Sequence, residues 1–145
     1  MKRTITILFL ALAGLLLLAI GGTILFVPHT FYASDGILLG NDPSLLSEIR
    51  APGGLLAGSG LVILMGTFRL EQRSLAVTLT FLVYGMFGLS RLVSLALDGL
   101  PSNNLVMAMV IELGVAAIAL LIRSGGPHAA TSVSIPELTH HSFRP

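Results

Sequence analysis

The sequence predicts an all-α integral membrane protein, a polytopic bundle of four transmembrane helices, from its composition and its long uncharged segments. Hydrophobic residues make up 54% of the 145-residue chain and charged residues only 10%, whereas about a quarter of an ordinary soluble domain is charged. A transmembrane helix needs about 20 apolar residues. Segments of this kind cover residues 4–27, 51–68, 74–97 and 105–122. We therefore expect a transmembrane domain at residues 1–123 and a flexible cytoplasmic tail at residues 124–145.

The first span follows Met1-Lys2-Arg3, a basic start that a secretory signal peptide would also have. The apolar region of a signal peptide is about 7–15 residues long and ends at small residues. Here the apolar run continues to Val27, and the only Ala-x-Ala, at residues 11–13, comes too early for cleavage. The pattern favours a retained first helix.

Two connections carry clear turn or capping signals. Residues 28–41 form a predicted external segment, in which Phe31 and Tyr32 are typical of an interfacial aromatic belt. The following Asp42-Pro43 predicts an N-cap with proline in the first helical turn. Residues 98–101, Asp-Gly-Leu-Pro, predict a turn that makes the third and fourth spans a tight antiparallel hairpin.

The positions of the cations predict the orientation, because cytoplasmic flanks of transmembrane helices collect Lys and Arg. With a cytoplasmic N-terminus, most of the cations fall on the cytoplasmic side. These are Lys2, Arg3, Arg69, Arg73, Arg123 and Arg144. We expect both termini to be cytoplasmic.

Small residues indicate which helix faces point into the bundle, since helices in lipid associate where backbones can approach closely. They are Gly53, Gly54, Ala57 and Gly58 of the second span, Gly85 and Gly88 of the third, and Ala108, Ala116 and Ala119 of the fourth. The Gly54-x-x-x-Gly58 spacing could also mediate a homodimer. Packing inside one bundle is the favoured interpretation.

Two ionisable residues lie within predicted spans, Arg91 in the third and Glu112 in the fourth. A charge inside a membrane costs on the order of 3 kcal/mol and normally faces a partner. The two residues stand at similar distances from the turn at residues 98–101, so an antiparallel hairpin brings them to similar depth. We expect an Arg91–Glu112 ion pair.

Three further residues complete a candidate site in the outer half of the bundle. Arg50 shares a face of the second span with small residues, Tyr84 lies one level deeper than Arg91, and Asp98 lies at the mouth. The pair of charges could merely fix helix register. Two arginines against one carboxylate could instead bind a lipid-like or anionic molecule, or Glu112 could titrate in proton-linked chemistry.

No catalytic motif supports an enzyme. Ser59, Ser90 and Ser94 have no histidine in any span to act as a base. The chain has no cysteine, which excludes disulfides, thiolate catalysis and Cys-based metal sites. The histidines of the tail, at 128, 140 and 141, are interpreted as solvated surface. We expect no cofactor, no metal and no catalytic residue.

Three stretches resemble an uncharacterised family of bacterial four-helix integral membrane proteins, the domain of unknown function numbered 4345. They are Ser47-Glu48-Ile49-Arg50-Ala51-Pro52-Gly53-Gly54, then Gly88-Leu89-Ser90-Arg91-Leu92 with the downstream Asp98-Gly99-Leu100-Pro101, and Glu112. The likeness covers most of residues 5–122 and excludes the tail. With the charge bias, it implies a multi-pass protein of the bacterial inner membrane and is silent on activity.

The sequence therefore predicts a small membrane protein that binds a lipid-like or anionic small molecule near the outer leaflet. The alternative is a noncatalytic accessory or structural subunit of a larger membrane complex. Expected partners are membrane lipids, such a ligand, and either a second copy or a larger complex. With a formal net charge of +1 and no basic run, nucleic acid is not an expected partner.

Overall fold

The computed structural model describes residues 2–124, all of whose long elements are helices. Its helices are α1 (Lys2–Phe26), α2 (Pro28–Ala33), α3 (Pro43–Phe68), α4 (Arg73–Asp98) and α5 (Asn103–Ser124), with a single 3-10 turn at Leu70–Gln72. Four of them, α1, α3, α4 and α5, are long and apolar enough to cross a membrane. The predicted all-α class and the four apolar helices are thus confirmed, whereas the short helix α2 was not predicted.

The expected tail overlaps the described chain only at Ser124, which ends α5. Its remainder, with His128, His140, His141 and Arg144, lies outside the described residues. The expectations for a flexible tail and for solvated histidines therefore stay predictions.

The helix ends follow the local signals in the sequence. The carboxylate of Asp42 accepts a hydrogen bond from the Leu45 amide at 2.8 Å, and Pro43 occupies the first turn of α3. This N-cap satisfies an amide that has no partner within the helix. At the other connection α4 ends before Gly99, whose φ of +91° favours glycine. Both the predicted cap and the predicted turn are confirmed.

Helices α1 and α3 form an antiparallel pair in which the backbones nearly touch. A Cβ added to Gly21 would lie 2.3 Å from the Ala57 amide nitrogen, and one added to Gly60 would lie 2.6 Å from the Gly14 carbonyl oxygen. Only glycine permits such an approach along the pair. We call this unit the α1–α3 pair.

Helices α4 and α5 form a second antiparallel pair, which we call the α4–α5 pair. A Cβ added to Gly88 would lie 2.7 Å from Leu113 Cδ2, and one added to Gly85 would lie 3.6 Å from the Ala116 Cβ. Ala116 and Ala119 are buried. The small residues predicted to face inward on the third span therefore do so, as do Ala116 and Ala119 of the fourth, whereas Ala108 is only half-buried.

The prediction for the second span is only half right. Gly53 is buried against Ile24 of α1, but no atom of the described residues lies within 4 Å of a Cβ added to Gly54 or Gly58. Packing inside the bundle therefore does not use the Gly54-x-x-x-Gly58 spacing. The glycines that serve α1, Gly14 and Gly21, were not predicted.

The two pairs meet mainly through α3 and α4, near the Leu70–Gln72 turn, at what we call the closed end. Ile63, Thr67, Ala76 and Thr80 are almost fully buried in this half of the molecule. The buried hydroxyl of Thr67 donates to the Ile63 carbonyl at 2.7 Å, and that of Thr80 to the Ala76 carbonyl at 2.8 Å, so neither is left unsatisfied. The opposite end, with α2 and the α4–α5 turn, is the cavity end.

Candidate ligand-binding cavity

At the cavity end the two helix pairs separate and enclose a cavity of about 410 Å³. Its walls come from every long helix and from residues 28–37, which we call the α2 segment. They are Leu16, Leu17, Ile20 and Ile24 of α1, Phe31, Tyr32, Asp35 and Ile37 of the α2 segment, Pro52 and Leu56 of α3, Val83, Tyr84, Phe87 and Arg91 of α4, and Asn104, Leu105, Ala108, Ile111 and Glu112 of α5. Most of these side chains are apolar. The volume lies within the range of about 300–1,000 Å³ that is typical of small-molecule sites.

An ion pair lies on the α4–α5 wall of the cavity. Arg91 Nε donates to Glu112 Oε2 at 2.9 Å, and the two side chains are 32% and 15% exposed. The antiparallel hairpin and the Gly88–Leu113 contact bring the two residues to the same depth. The structure thus pairs Arg91 with Glu112 as the sequence predicts.

The ion pair leaves hydrogen-bonding capacity unused. Within residues 2–124, neither the terminal guanidinium nitrogens of Arg91 nor Glu112 Oε1 has a hydrogen-bond partner. A guanidinium carries five N–H donors and a carboxylate accepts at both oxygens. A polar group in the cavity could therefore bind both members of the pair.

Tyr84 lies deeper in the cavity and links the two helix pairs. Its side chain is buried and its hydroxyl donates to the Ala13 carbonyl of α1 at 2.7 Å. A buried phenol normally has such a partner. Tyr84 therefore helps to set the distance between the α4 and α1 walls.

Arg50 does not join the site, and the prediction that placed it there is wrong. Its side chain is exposed and does not line the cavity. The cavity side of α3 carries Pro52 and Leu56, which are one turn apart. Arg50 instead shares the outward side of α3 with Gly54, beside which space is open.

Asp98 also lies outside the cavity, contrary to its predicted place at the mouth. It is exposed and accepts a hydrogen bond from the Ser94 hydroxyl at 2.8 Å. Asp35, a second carboxylate that lines the cavity besides Glu112, was missed. The Asp35-Gly36 dipeptide was the sequence feature that could have indicated a turn here. Gly36 has a φ of +77° and turns the chain after α2.

The aromatic residues of the α2 segment cover the cavity. Phe31 and Tyr32 both line it, with their ring centroids 5.5 Å apart in an edge-to-face contact. The sequence led us to expect them in an interfacial belt. In the structure the α2 segment folds over the gap between the helix pairs.

Among the described residues, the charges that line the cavity are one guanidinium, Arg91, and two carboxylates, Asp35 and Glu112. The expected excess of positive charge is therefore absent from the lining, because Arg50 lies elsewhere. No histidine in the described part of the chain lines this cavity. Within residues 2–124, no group of three or more metal-ligating side chains is close enough to hold a metal ion.

Comparison with known proteins identifies the family without an activity. No curated protein and no solved structure matches the chain significantly. A family model described as "Domain of unknown function (DUF4345)" matches residues 5–123, a range that includes all the residues named above as cavity walls. The chain belongs to the DUF4345 family.

Proposed function

We propose that the protein is a membrane-spanning four-helix bundle that binds a lipid-like molecule in the cavity between its helix pairs. The observation that carries this proposal is the 410 Å³ cavity, which is walled by apolar side chains and has an incompletely paired Arg91–Glu112 contact on one side. Ligand sites commonly combine an apolar lining with a few polar groups that fix orientation. The apolar part of the ligand would lie against α1 and α3, and its polar part against Arg91 and Glu112.

The charges favour a neutral or zwitterionic polar group over a simple anion. Arg91 can donate to an acceptor such as a phosphate or carbonyl oxygen, while Glu112 and Asp35 can accept from an ammonium, amide or hydroxyl group. A lone anion would meet two carboxylates for one guanidinium. Of the two ligand classes expected from the sequence, the lipid-like one therefore has the better support.

The orientation forms part of the same proposal: both termini cytoplasmic, in a bacterial inner membrane. Its support is the cationic closed end, where Arg69 and Arg73 flank the Leu70–Gln72 turn and Arg123 lies near the end of α5. The cavity then opens in the outer leaflet.

Cysteine labelling of intact cells tests the orientation, since the natural chain has no cysteine. Ser102→Cys and Gln72→Cys place one thiol at each end of the bundle, both at exposed positions. We expect a membrane-impermeant maleimide to label Ser102→Cys on intact cells and Gln72→Cys only after lysis. The reverse pattern would invert the topology.

Native mass spectrometry of detergent-purified protein tests ligand binding. Ala108→Trp places a large side chain in the cavity, whereas Ala117→Trp places the same side chain on the exposed surface of the same helix. We expect the wild type and Ala117→Trp to carry a co-purifying lipid-like mass and Ala108→Trp to lose it. Bare protein in all three samples, or equal occupancy in all three, would overturn the proposal.

One observation favours the second candidate, an accessory or structural subunit. The open space beside Gly54 and Gly58 on α3, and beside Gly22 on α1, would admit another helix. Gly58→Leu would fill that space without entering the described bundle. If this candidate holds, Gly58→Leu shifts the protein to a smaller species in light scattering or releases a co-purifying subunit, and an unchanged mass would contradict it.

A further inference from the structure

The ring of helices around the cavity is closed on three sides. The α1–α3, α3–α4 and α4–α5 contacts are extensive, whereas within residues 2–124 helix α5 packs extensively against α4 alone. Only two residues of α5, Ala116 and Ala119, are buried, and Ala116 faces Gly85 of α4. On the fourth side, α1 and α5 therefore form no comparable helix–helix contact within the described chain. We call this side the α1–α5 gap.

Two side chains connect this gap with the cavity. Leu16 of α1 and Ile111 of α5 both line the cavity, yet they are 40% and 46% exposed. Each side chain therefore borders both the cavity and the side of the bundle on which α1 and α5 make no extensive contact. In a membrane, that outside is the acyl-chain region of the bilayer, since both residues lie inside apolar spans.

We propose that the α1–α5 gap is the lateral passage through which the cavity exchanges its ligand with the bilayer, and that part of the ligand's apolar chain lies in the gap when it is bound. This inference rests on the proposed function. The ligand is accordingly a membrane amphiphile that never leaves the apolar phase, rather than a water-soluble molecule arriving from the end of the bundle.

The alternative, axial route is the more obstructed one. The α2 segment lies over the end of the cavity, where Phe31, Tyr32 and Asp35 line it. An apolar chain moving along that route would pass through the headgroup region and water, at a cost that rises with each methylene group exposed. Movement through the gap avoids this exposure.

The size of the cavity supports the same conclusion. At about 410 Å³ it lies in the lower part of the range for small-molecule sites. A lipid with two full-length chains would not fit inside. A gap bordered by Leu16 and Ile111 lets the polar group and the start of one chain occupy the cavity while the remainder stays in the bilayer.

The test compares two cysteine variants of the full chain on one helix. Ile111→Cys and Ile118→Cys replace isoleucines of equal exposure, 46% and 47%, but only residue 111 lines the cavity. Each protein is loaded with pyrene-labelled phosphatidylethanolamine, modified with a bulky maleimide, and mixed with excess phosphatidylcholine vesicles. Probe release is then followed by fluorescence.

Modification at Ile111→Cys is expected to slow release by roughly tenfold, because the bulky group obstructs the gap, and modification at Ile118→Cys by less than about twofold. Equal rates, or faster release from Ile111→Cys, would overturn the lateral passage. Slower probe release after modification of Ile37→Cys alone would also overturn the lateral passage. Ile37 lines the cavity from the α2 segment, so that result would indicate an axial route.

The two proposals fail in different ways. If the wild type binds the probe but modification at residue 111 has no effect, the binding function stands and the lateral passage is refuted. A wild type that never takes up the probe, and that carries no mass of its own in native mass spectrometry, loses the binding function and the passage with it.

Discussion

The α1–α3 pair and the α4–α5 pair are built on different principles. In the first, glycines bring the two backbones into contact at Gly14, Gly21, Gly53 and Gly60. In the second, Gly88 admits the flexible side chain of Leu113, and an ion pair joins the helices near the cavity. One wall of the cavity is therefore fixed by backbone shape, while the wall that carries the charged groups depends on side chains that can adjust.

This difference indicates how the bundle divides its tasks. A backbone-to-backbone contact has no side chain that can rotate to relieve a clash, so the α1–α3 pair provides a rigid surface. Helix α5, which packs extensively only on α4 within the described chain, can shift with less loss of contact. The Arg91–Glu112 pair of the candidate site thus lies on the more adaptable wall.

The largest effect is expected from breaking the rigid pair at Gly21. In Gly21→Ala the new Cβ would lie 2.3 Å from the Ala57 amide nitrogen and 2.6 Å from the Gly53 carbonyl oxygen, so the helices must separate. Overpacking of this kind costs about 1–3 kcal/mol and occasionally more, and we expect the upper end. The measurement is the free energy of unfolding in mixed detergent micelles.

The neighbouring glycine provides the matched control. Within the described chain nothing lies within 4 Å of a Cβ added to Gly22, so Gly22→Ala should be neutral or slightly stabilising because alanine favours a helix. Gly88→Ala of the other pair should cost less than Gly21→Ala, since the nearest atom is the far end of the Leu113 side chain. Equal losses at residues 21 and 22 would refute the close backbone contact.

The next largest effect is expected from the ion pair. Arg91→Leu leaves Glu112 as an unpaired carboxylate that is only 15% exposed. Losing one member of a fully buried pair costs about 3–5 kcal/mol, but Arg91 is 32% exposed, so we expect about 2 kcal/mol for Arg91→Leu or Glu112→Leu. In the double variant the loss should be largely recovered, because two apolar side chains replace the pair.

The double variant also separates an architectural pair from a ligand-binding one. If the pair binds the polar group of a ligand, the double variant folds stably but loses the co-purifying mass in native mass spectrometry. A stable double variant with full ligand occupancy would leave the pair a structural role only. A double variant less stable than either single variant would contradict the expected compensation.

The sequence predicts local features, such as caps, turns and hairpin register, better than it predicts which helix packs against which face of another. The Arg91–Glu112 pair follows from one tight hairpin, so the register alone sets its depth. Arg50 was misplaced because small residues occupy two sides of α3: Gly53 faces α1, whereas Gly54 faces open space. Nothing in the helical period shows which of these sides meets another helix.

Unlike the helices and their ends, the cavity cannot be predicted from the periodicity of the sequence. Asp35 lies in a segment without periodicity, and its place above the cavity depends on how α2 folds back after Val27. The void arises because the two pairs meet at the closed end and separate at the cavity end. Such a separation is a property of tertiary packing and not of any one helix.

The smallest effect is expected from Tyr84→Phe, which removes a hydrogen bond between the pairs and leaves the ring in place. The Tyr84 hydroxyl donates to the Ala13 carbonyl at 2.7 Å, and hydrogen bonds between helices in membranes contribute about 0.6–1 kcal/mol. The loss stays small because Ala13 lies within α1, where its carbonyl can still accept the regular helical hydrogen bond. The measurement is again the free energy of unfolding.

The chain has 2 tyrosines, and Tyr32→Phe is the control because within residues 2–124 the Tyr32 hydroxyl has no hydrogen-bond partner. Equal changes in the two variants would show that the Tyr84–Ala13 bond does not hold the pairs together, and that packing around Ile63 and Thr80 at the closed end suffices.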